Sequence, residues 1–320
     1  MVTIGGLLAD PKYPEKLILQ KLFCAFTSCS REDLRSKMDE EMDADLQKKM
    51  IDAYTMYVRD KKPLEYLLGY VEFFWTKFIV SGATLIPRPE TEYMITAVTE
   101  YISSKPKAQS WKPENNLLLD IGTGCGVLWI SVLLQNPDYF SDAIFTDFYE
   151  NALEIAFSNF ELIMKNEKWK INVSFLHSDL LDFLVHGKSE KSSTLKDPPS
   201  FEIKEDTNVV LVANLPYIPE QTFEENVADN VKNREPKLAF VGGDDGLDYY
   251  RIMLDQIIQL QDTRSREQKP VTWNLLPVTM FLEMMTRQVD VLRQEFDQYF
   301  VFEEVKTFHF NIRIVKACMK

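Results

Sequence analysis

The segment Leu117-Leu118-Leu119-Asp120-Ile121-Gly122-Thr123-Gly124-Cys125-Gly126 restricts the fold more than any other. An apolar run of strand length opens into a glycine-rich turn, and helical spacing resumes at Val127. Glycines let the backbone approach a ligand closely, and the N-terminus of the helix that follows favours a polar or anionic group. A dinucleotide fingerprint needs a third glycine at position 127, where Val127 stands instead. A second short strand, Ala143-Ile144-Phe145-Thr146, ends in Asp147. That acid lies about twenty residues beyond the glycines, where a carboxylate can take both hydroxyls of a ribose.

From about residue 88 strands and helices alternate. The spacing predicts helices over Glu90–Ser103, Val127–Gln135, Asn151–Lys165, Tyr249–Leu260 and 286–298. Strands are predicted over Leu117–Asp120, Ala143–Thr146, Ile171–Leu176, Val209–Val212 and Val278–Glu283, with two closing runs at Tyr299–Thr307 and Asn311–Ala317. Such alternation implies a mostly parallel, doubly wound α/β sheet, and the closing runs suit an antiparallel pair at its edge. Ligands of these sheets sit beyond the carboxyl ends of the strands, where the winding reverses.

Beyond the fourth of these strands comes Ala213-Asn214-Leu215-Pro216-Tyr217. Asn214 offers a side-chain carbonyl oxygen and Leu215 a backbone carbonyl, so together they can accept both N–H bonds of an amide or exocyclic amine. Tyr217 can lie on the π face of such a group. Pro216 fixes its own φ and pushes Leu215 into an extended conformation. Alone, the motif is an ordinary strand-to-turn junction. In order with the glycine turn and Asp147, it points to group transfer onto an NH2.

The region before residue 88 reads differently. Residues 8–68 have helical patterning, with a capping box at Ser30–Asp33, an amphipathic run at Asp43–Arg59 and a stop at Gly69. Tyr70–Val80 is rich in aromatic and β-branched residues and reads as a hairpin. The expected organisation is a small helical domain over 1–69, a β-hairpin linker over 70–87 and an α/β domain over 88–320. Residues 186–207 read as a polar surface insertion.

Composition excludes several classes. No run of about 18 apolar residues offers a membrane span, and the N-terminus lacks the pattern of a signal or transit peptide. A formal net charge of −13 disfavours direct nucleic-acid binding, which relies on Lys and Arg, and suits a basic protein partner. The cysteines, Cys24, Cys29, Cys125 and Cys318, show neither metal spacing nor a disulfide framework, and Cys24 and Cys29 are expected to pack in a helix. The expectation is a soluble, reduced, cytoplasmic protein. His177, His186 and His309 are scattered, without a carboxylate or cysteine at metal spacing, and no metal is expected. Gly242-Gly243-Asp244-Asp245 reads as a tight turn before the helix at Tyr249.

Two further stretches make the pattern resemble one family. Pro63-Leu64-Glu65-Tyr66-Leu67-Leu68-Gly69 and Leu85-Ile86-Pro87-Arg88-Pro89-Glu90-Thr91-Glu92 look like the linker and entry signature of the HemK-type peptide-chain release factor glutamine methyltransferases. The glycine turn, Asp147, Asn214–Pro219 and Gly242–Asp248 follow in the family's order. The resemblance implies a class I S-adenosylmethionine-dependent methyltransferase fold, Rossmann-like, with a mostly parallel seven-stranded sheet. It implies S-adenosyl-L-methionine as cofactor and methylation of the glutamine in the Gly-Gly-Gln loop of class I peptide chain release factors, held in part by the helical N-terminal domain. By match to the family, Gly122, Thr123, Gly124, Cys125 and Gly126 wrap the methionine part of the cofactor. Asp147 takes the ribose, Asp179 and Leu180 lie at the adenine, and Asn214, Leu215, Pro216 and Tyr217 bind the glutamine amide and carry catalysis. Arg88 and Glu90 orient the substrate or close over the cofactor, unless Pro89 merely starts a helix.

The chain departs from the family at Leu215, where a proline is usual, at Leu180, often aromatic, and at Glu283-Met284-Met285, which lacks the usual glycine. The competing reading is a nucleic-acid adenine-N6 methyltransferase, since the adenine amine presents the same N–H pair. A non-catalytic cofactor-binding scaffold is a third.

Overall fold

A computed structural model describes residues 2–105, 115–165, 171–186, 207–232, 234–261, 277–307 and 312–320. The expected polar insertion at 186–207 lies almost wholly outside the described residues, as do His309 and residues 268–276, which precede the departure at Glu283-Met284-Met285.

The first layer is helical: α1 (Ile4–Ala9), α2 (Lys16–Thr27), α3 (Arg31–Ser36), α4 (Ala44–Val58) and α5 (Leu64–Leu68). Helix α1 was not legible, because Gly5 and Gly6 disguise it. Thr3 caps it by accepting the Gly6 N–H at 3.0 Å. The capping box at α3 forms, with Ser30 and Asp33 exchanging side-chain and backbone bonds. Leu19, Leu22, Phe23, Met50 and Tyr54 form a core of their own in this layer. Cys24 lies in α2, but Cys29 does not share the helix: Ser28 turns left-handed at φ 54° and ends it. The two thiols then face each other at 4.0 Å. Gly69, at φ 80°, ends α5.

A hairpin follows, β1 (Tyr70–Phe73) and β2 (Thr76–Ile79), then a 3-10 turn at Pro89–Thr91 and α6 (Glu92–Ser104). The helix expected from Glu90 thus begins later, because Pro89 starts a tighter turn. The α/β unit continues with β3 (Asn116–Ile121), α7 (Val127–Gln135), β4 (Asp142–Asp147), α8 (Glu150–Met164), β5 (Asn172–His177), α9 (Asp182–Val185) and β6 (Asn208–Ala213). It ends with α10 (Glu220–Asn226), α11 (Asp229–Lys232), α12 (Asp248–Gln261), β7 (Val278–Met285), α13 (Thr286–Glu295), β8 (Phe300–Thr307) and β9 (Ile312–Met319).

The seven strands run in the order β5-β4-β3-β6-β7-β9-β8. The pairs from β5 to β7 are parallel, and β9 is antiparallel to both its neighbours. The closing runs do pair antiparallel, but β9 slots inside β8, so only β8 forms the edge. This winding is that of the class I S-adenosylmethionine-dependent methyltransferases. β3 lies between β4 and β6, so the winding reverses beside it and opens a crevice at the carboxyl ends of β3 and β6. One face buries Leu119, Leu211, Tyr250 and Leu282. The other buries Trp129 stacked on Phe145 at 3.6 Å between ring centroids.

The hairpin is fastened to this unit by Asn159, a fully buried residue of α8. Its side chain accepts the Ile79 N–H at 2.6 Å and donates to the Ile79 carbonyl at 2.9 Å and the Cys125 carbonyl at 2.8 Å. One amide thus ties the linker to the glycine turn.

Candidate functional site

The glycine turn leaves β3 as the sequence predicts. Gly122, Gly124 and Gly126 have φ of 72°, 56° and 84°, a left-handed series closed to most side chains. A Cβ on Gly124 would meet nothing within 4 Å, so this part of the turn faces open space. A Cβ on Gly122 would come within 2.9 Å of Leu215 Cδ2. The turn therefore touches the Asn214–Tyr217 loop, as the parallel register Ile121–Ala213 requires.

Asp147 ends β4 with its carboxylate held in place. Oδ2 accepts the Gly124 N–H and Oδ1 the Tyr149 N–H, each at 2.9 Å. Burial raises its pKa, while the N–H groups of Tyr149 and Gly124 pull the other way. Asp120 lies beneath the turn, fully buried. Its Oδ2 accepts the Thr123 hydroxyl at 2.8 Å, while Oδ1 finds no partner among the described residues. Burial pushes Asp120 up to about 7 against the pull of Thr123. Acids around an open turn suit a ligand with positive charge, such as the sulfonium and amino groups of S-adenosylmethionine. Cys125 is buried, its thiol pushed up to about 12, so its backbone rather than its sulfur serves the turn. Beyond β5, Asp179 is exposed and Leu180 takes a left-handed φ of 48°, with its side chain in the core. A non-glycine residue held so is strained by on the order of 1–3 kcal/mol.

The loop after β6 is anchored from all sides. Ile218 N–H donates to the Phe240 carbonyl at 2.8 Å, and Gly242 N–H to the Ile218 carbonyl at 3.1 Å. The Gln288 side chain donates to the Tyr217 carbonyl at 2.7 Å and the Asp245 carbonyl at 2.9 Å. Gly242 is an obligate glycine here, since its Cβ would stand 2.2 Å from the Pro216 carbonyl oxygen. The expected Gly242–Asp245 turn thus props the loop. Among the described residues no group of His, Cys, Asp and Glu could hold a metal.

Within the loop, Asn214 Nδ2 donates to the Thr91 hydroxyl at 3.1 Å, leaving Oδ1 as the amide's remaining acceptor. The Tyr217 hydroxyl donates to Glu283 Oε1 at 3.0 Å. Leu215, where the related pattern has proline, has an N–H to satisfy, and it donates to the buried Tyr250 hydroxyl at 3.2 Å. That hydroxyl in turn donates to the Glu283 carbonyl. Among the described residues the Leu215 carbonyl has only a long 3.5 Å contact with Tyr250 and so retains its accepting capacity.

The Arg88 guanidinium is taken by Glu235 at 2.7 Å and lies over the Phe240 ring. Glu235, nearly buried, also accepts the Ile86 N–H at 3.1 Å, so this pair fastens the entry segment. Glu90 lies close enough for its charge to raise both Tyr217 and Glu283.

Sequence reasoning missed Thr91, Asn159, Glu235, Tyr250 and Gln288 as parts of the site, and read Glu283 only as part of a departure. Asn159 left a signal, a polar residue on the apolar stripe Leu153, Ala156, Met164 of α8. Thr91 left one in its place within the Arg88–Glu92 stretch.

The fold and the paired turns define a class I methyltransferase. The release factor glutamine methyltransferase of Bacillus cereus is 30% identical over 236 residues, 74% of this chain and 72% of the relative. That of Flavobacterium psychrophilum is 32% identical over 231 residues, 71% and 68% of the two chains. Among solved structures, the methyltransferase domain of delta-N METTL16 aligns at a TM-score of 0.44 and 14% identity, over 85% of this chain and 94% of that one. No family model matches. The chain belongs to the release factor glutamine methyltransferase family.

Proposed function

We propose that the protein transfers the methyl group of S-adenosyl-L-methionine to the side-chain amide nitrogen of the glutamine in the Gly-Gly-Gln motif of class I peptide chain release factors. The observation that carries this reading is the contact between Gly122 and Leu215. It supports the reading by bringing the glycine turn against a loop that, among the described residues, has two free acceptors for an NH2. The proposal includes a cytoplasmic location, to which the structure contributes only that no described helix is long and apolar enough to cross a membrane.

Bound S-adenosylmethionine supplies an electrophilic methyl group, so no covalent enzyme intermediate is required. Gly122–Gly126 and Asp147 hold it, with Asp179 and Leu180 beside the adenine. Asn214 Oδ1 and the Leu215 carbonyl accept the two N–H bonds of the substrate amide. Tyr217 covers its face and Glu90 lines the entrance. An amide nitrogen is a weak nucleophile because its lone pair is delocalised, and holding both N–H bonds aims that lone pair. Positive charge grows on nitrogen as the N–CH3 bond forms and the sulfonium's S–CH3 bond breaks, so the two acceptors bind more tightly in the transition state than in the ground state. One N–H proton leaves to solvent after transfer. The net charge of −13 suits a basic partner surface.

The test is transfer of label from S-adenosylmethionine to a recombinant release factor and to its Gly-Gly-Ala variant. Label on the first alone supports the reading. Label only on structured RNA or DNA overturns it in favour of an adenine amine. Cofactor binding with no transfer supports a scaffold.

A further inference from the structure

Glu283 is 1% exposed, on β7, and only one of its carboxyl oxygens is used. Oε1 accepts the Tyr217 hydroxyl, while Oε2 is buried with no hydrogen bond of good geometry among the described residues. An unsatisfied carboxyl oxygen in a core is costly and invites a functional account. The side chains beside this carboxyl are the Thr91 hydroxyl and the Asn214 amide, both of which favour its charged form. Thr91 is itself buried and accepts from Asn214. Three segments far apart in sequence thus meet behind the loop: the entry turn, the end of β6 and β7.

We propose that Glu283, acting through Thr91, sets the direction of a hydrogen-bond chain that decides which end of the Asn214 amide faces the substrate. The inference rests on the glutamine-methylating reading above. An ionised carboxylate only accepts. The single Thr91 proton then points to Glu283, and Thr91 can only accept from Asn214. Asn214 must present Nδ2 to Thr91 and turn Oδ1 the other way, toward a substrate that brings N–H donors. Were Thr91 to give its proton to Asn214 instead, the amide would turn its NH2 outward and meet a donor with a donor. Glu283 and Thr91 are positioning residues; neither touches the substrate. The same carboxylate fixes the Tyr217 ring by its hydroxyl, so one acceptor orients both gripping side chains.

Glu283→Gln tests this, because glutamine brings a donor of similar shape. Its NH2 can hold the Thr91 oxygen and release the hydroxyl proton toward Asn214, reversing the chain. Thr91→Val removes the relay, and Thr91→Ser keeps it. The measurements are kcat, the Kd for S-adenosylmethionine, and the ratio of Kd values for the Gly-Gly-Gln release factor and a variant with glutamate in place of the glutamine. Glu283→Gln and Thr91→Val are expected to lower kcat by about tenfold or more with cofactor Kd within about twofold, and Thr91→Ser to stay near the parent. Glu283→Gln should also narrow the glutamine-over-glutamate ratio by about tenfold, because an outward NH2 welcomes a carboxylate. A purely structural role would leave that ratio unchanged. Thr91→Val and Glu283→Gln with parent-like kcat and ratio overturn the inference while the parent still methylates; a parent that labels no release factor overturns the reading beneath it. If Thr91→Val does not fold, the Thr91→Ser and Glu283→Gln pair decides alone.

Discussion

The two sides of the crevice are built by different means. The proposed cofactor side is local. Gly122, Gly124, Gly126 and Asp147 come from two adjacent strand ends, joined by backbone bonds from Gly122 and Thr123 to the Thr146 carbonyl and by the Asp147 carboxylate, which accepts the Gly124 and Tyr149 N–H groups. The proposed substrate side is assembled from a distance. Asn214 leans on Thr91, Leu215 on Tyr250, and Tyr217 on Glu283 and Gln288. Changes on the first side should therefore read out in cofactor affinity, and changes on the second in turnover.

The largest effect should come from Asn214→Ala. It removes an acceptor that strengthens in the transition state, so kcat is expected to fall on the order of a thousandfold while cofactor Kd stays within about twofold. Isothermal titration and single-turnover labelling separate the two. Equal losses in both would erase the distinction between the sides.

Next is a trade between stability and activity at Glu283. Burial raises its carboxyl from 4.5 to about 7, opposed by Thr91, Tyr217 and Asn214. The titratable groups facing it are Tyr217, Tyr250 and Glu90, and both tyrosines are held well above their usual range. Glu283 binds its proton more tightly folded than unfolded, so its contribution is full below about 4.5 and is lost as pH rises to about 7. The loss runs at about 1.4 kcal/mol per pH unit within that window. Asp120, raised from 3.8 to about 7, has the same sign. Chemical denaturation across this range should show stability falling as pH rises. Glu283→Gln should flatten part of the slope and be the more stable protein at pH above about 7, though less active. Parent turnover should rise through the same range, since protonated Glu283 can itself donate to Thr91. A pH-independent stability would mean that Glu283 is not buried as described.

How much was legible follows the same division. The glycine turn, Asp147 and the Asn214–Tyr217 loop each lie within a few consecutive residues, where spacing alone carries the pattern. The sheet was legible because β3, β4, β6 and β7 each carry a short apolar run, Leu117–Leu119, Ala143–Phe145, Val209–Ala213 and Met280–Leu282. Thr91, Tyr250 and Gln288 were not, since nothing local marks a threonine in a 3-10 turn or a tyrosine in a helix as the partner of a loop far along the chain. The order of β9 inside β8 was equally hidden, because two amphipathic strands say nothing of which one pairs with β7.

Tyr250 sharpens the comparison further. Leu215 brings an N–H that proline would lack, and the Tyr250 hydroxyl receives it in the core. Tyr250→Phe leaves that N–H buried and unpaired, at about 1–3 kcal/mol. In a Leu215→Pro background no such N–H exists, so the same substitution should destabilise less, by about 1 kcal/mol or more. Equal effects in both backgrounds would show that the bond to Leu215 contributes nothing.

The mildest change belongs to the cofactor side. Asp147→Asn replaces one accepting oxygen with an NH2 that must face either the Gly124 or the Tyr149 N–H. The turn should relax and the proposed ribose contact should lose an acceptor, so cofactor Kd is expected to rise about tenfold. At saturating cofactor kcat should hold, because Asn214 is held by Thr91 and Tyr217 by Glu283, without Asp147. Titration at several cofactor concentrations distinguishes the two. A fall in kcat that excess cofactor does not rescue would mean that the sides communicate, and the Gly122–Leu215 contact is where that coupling would run.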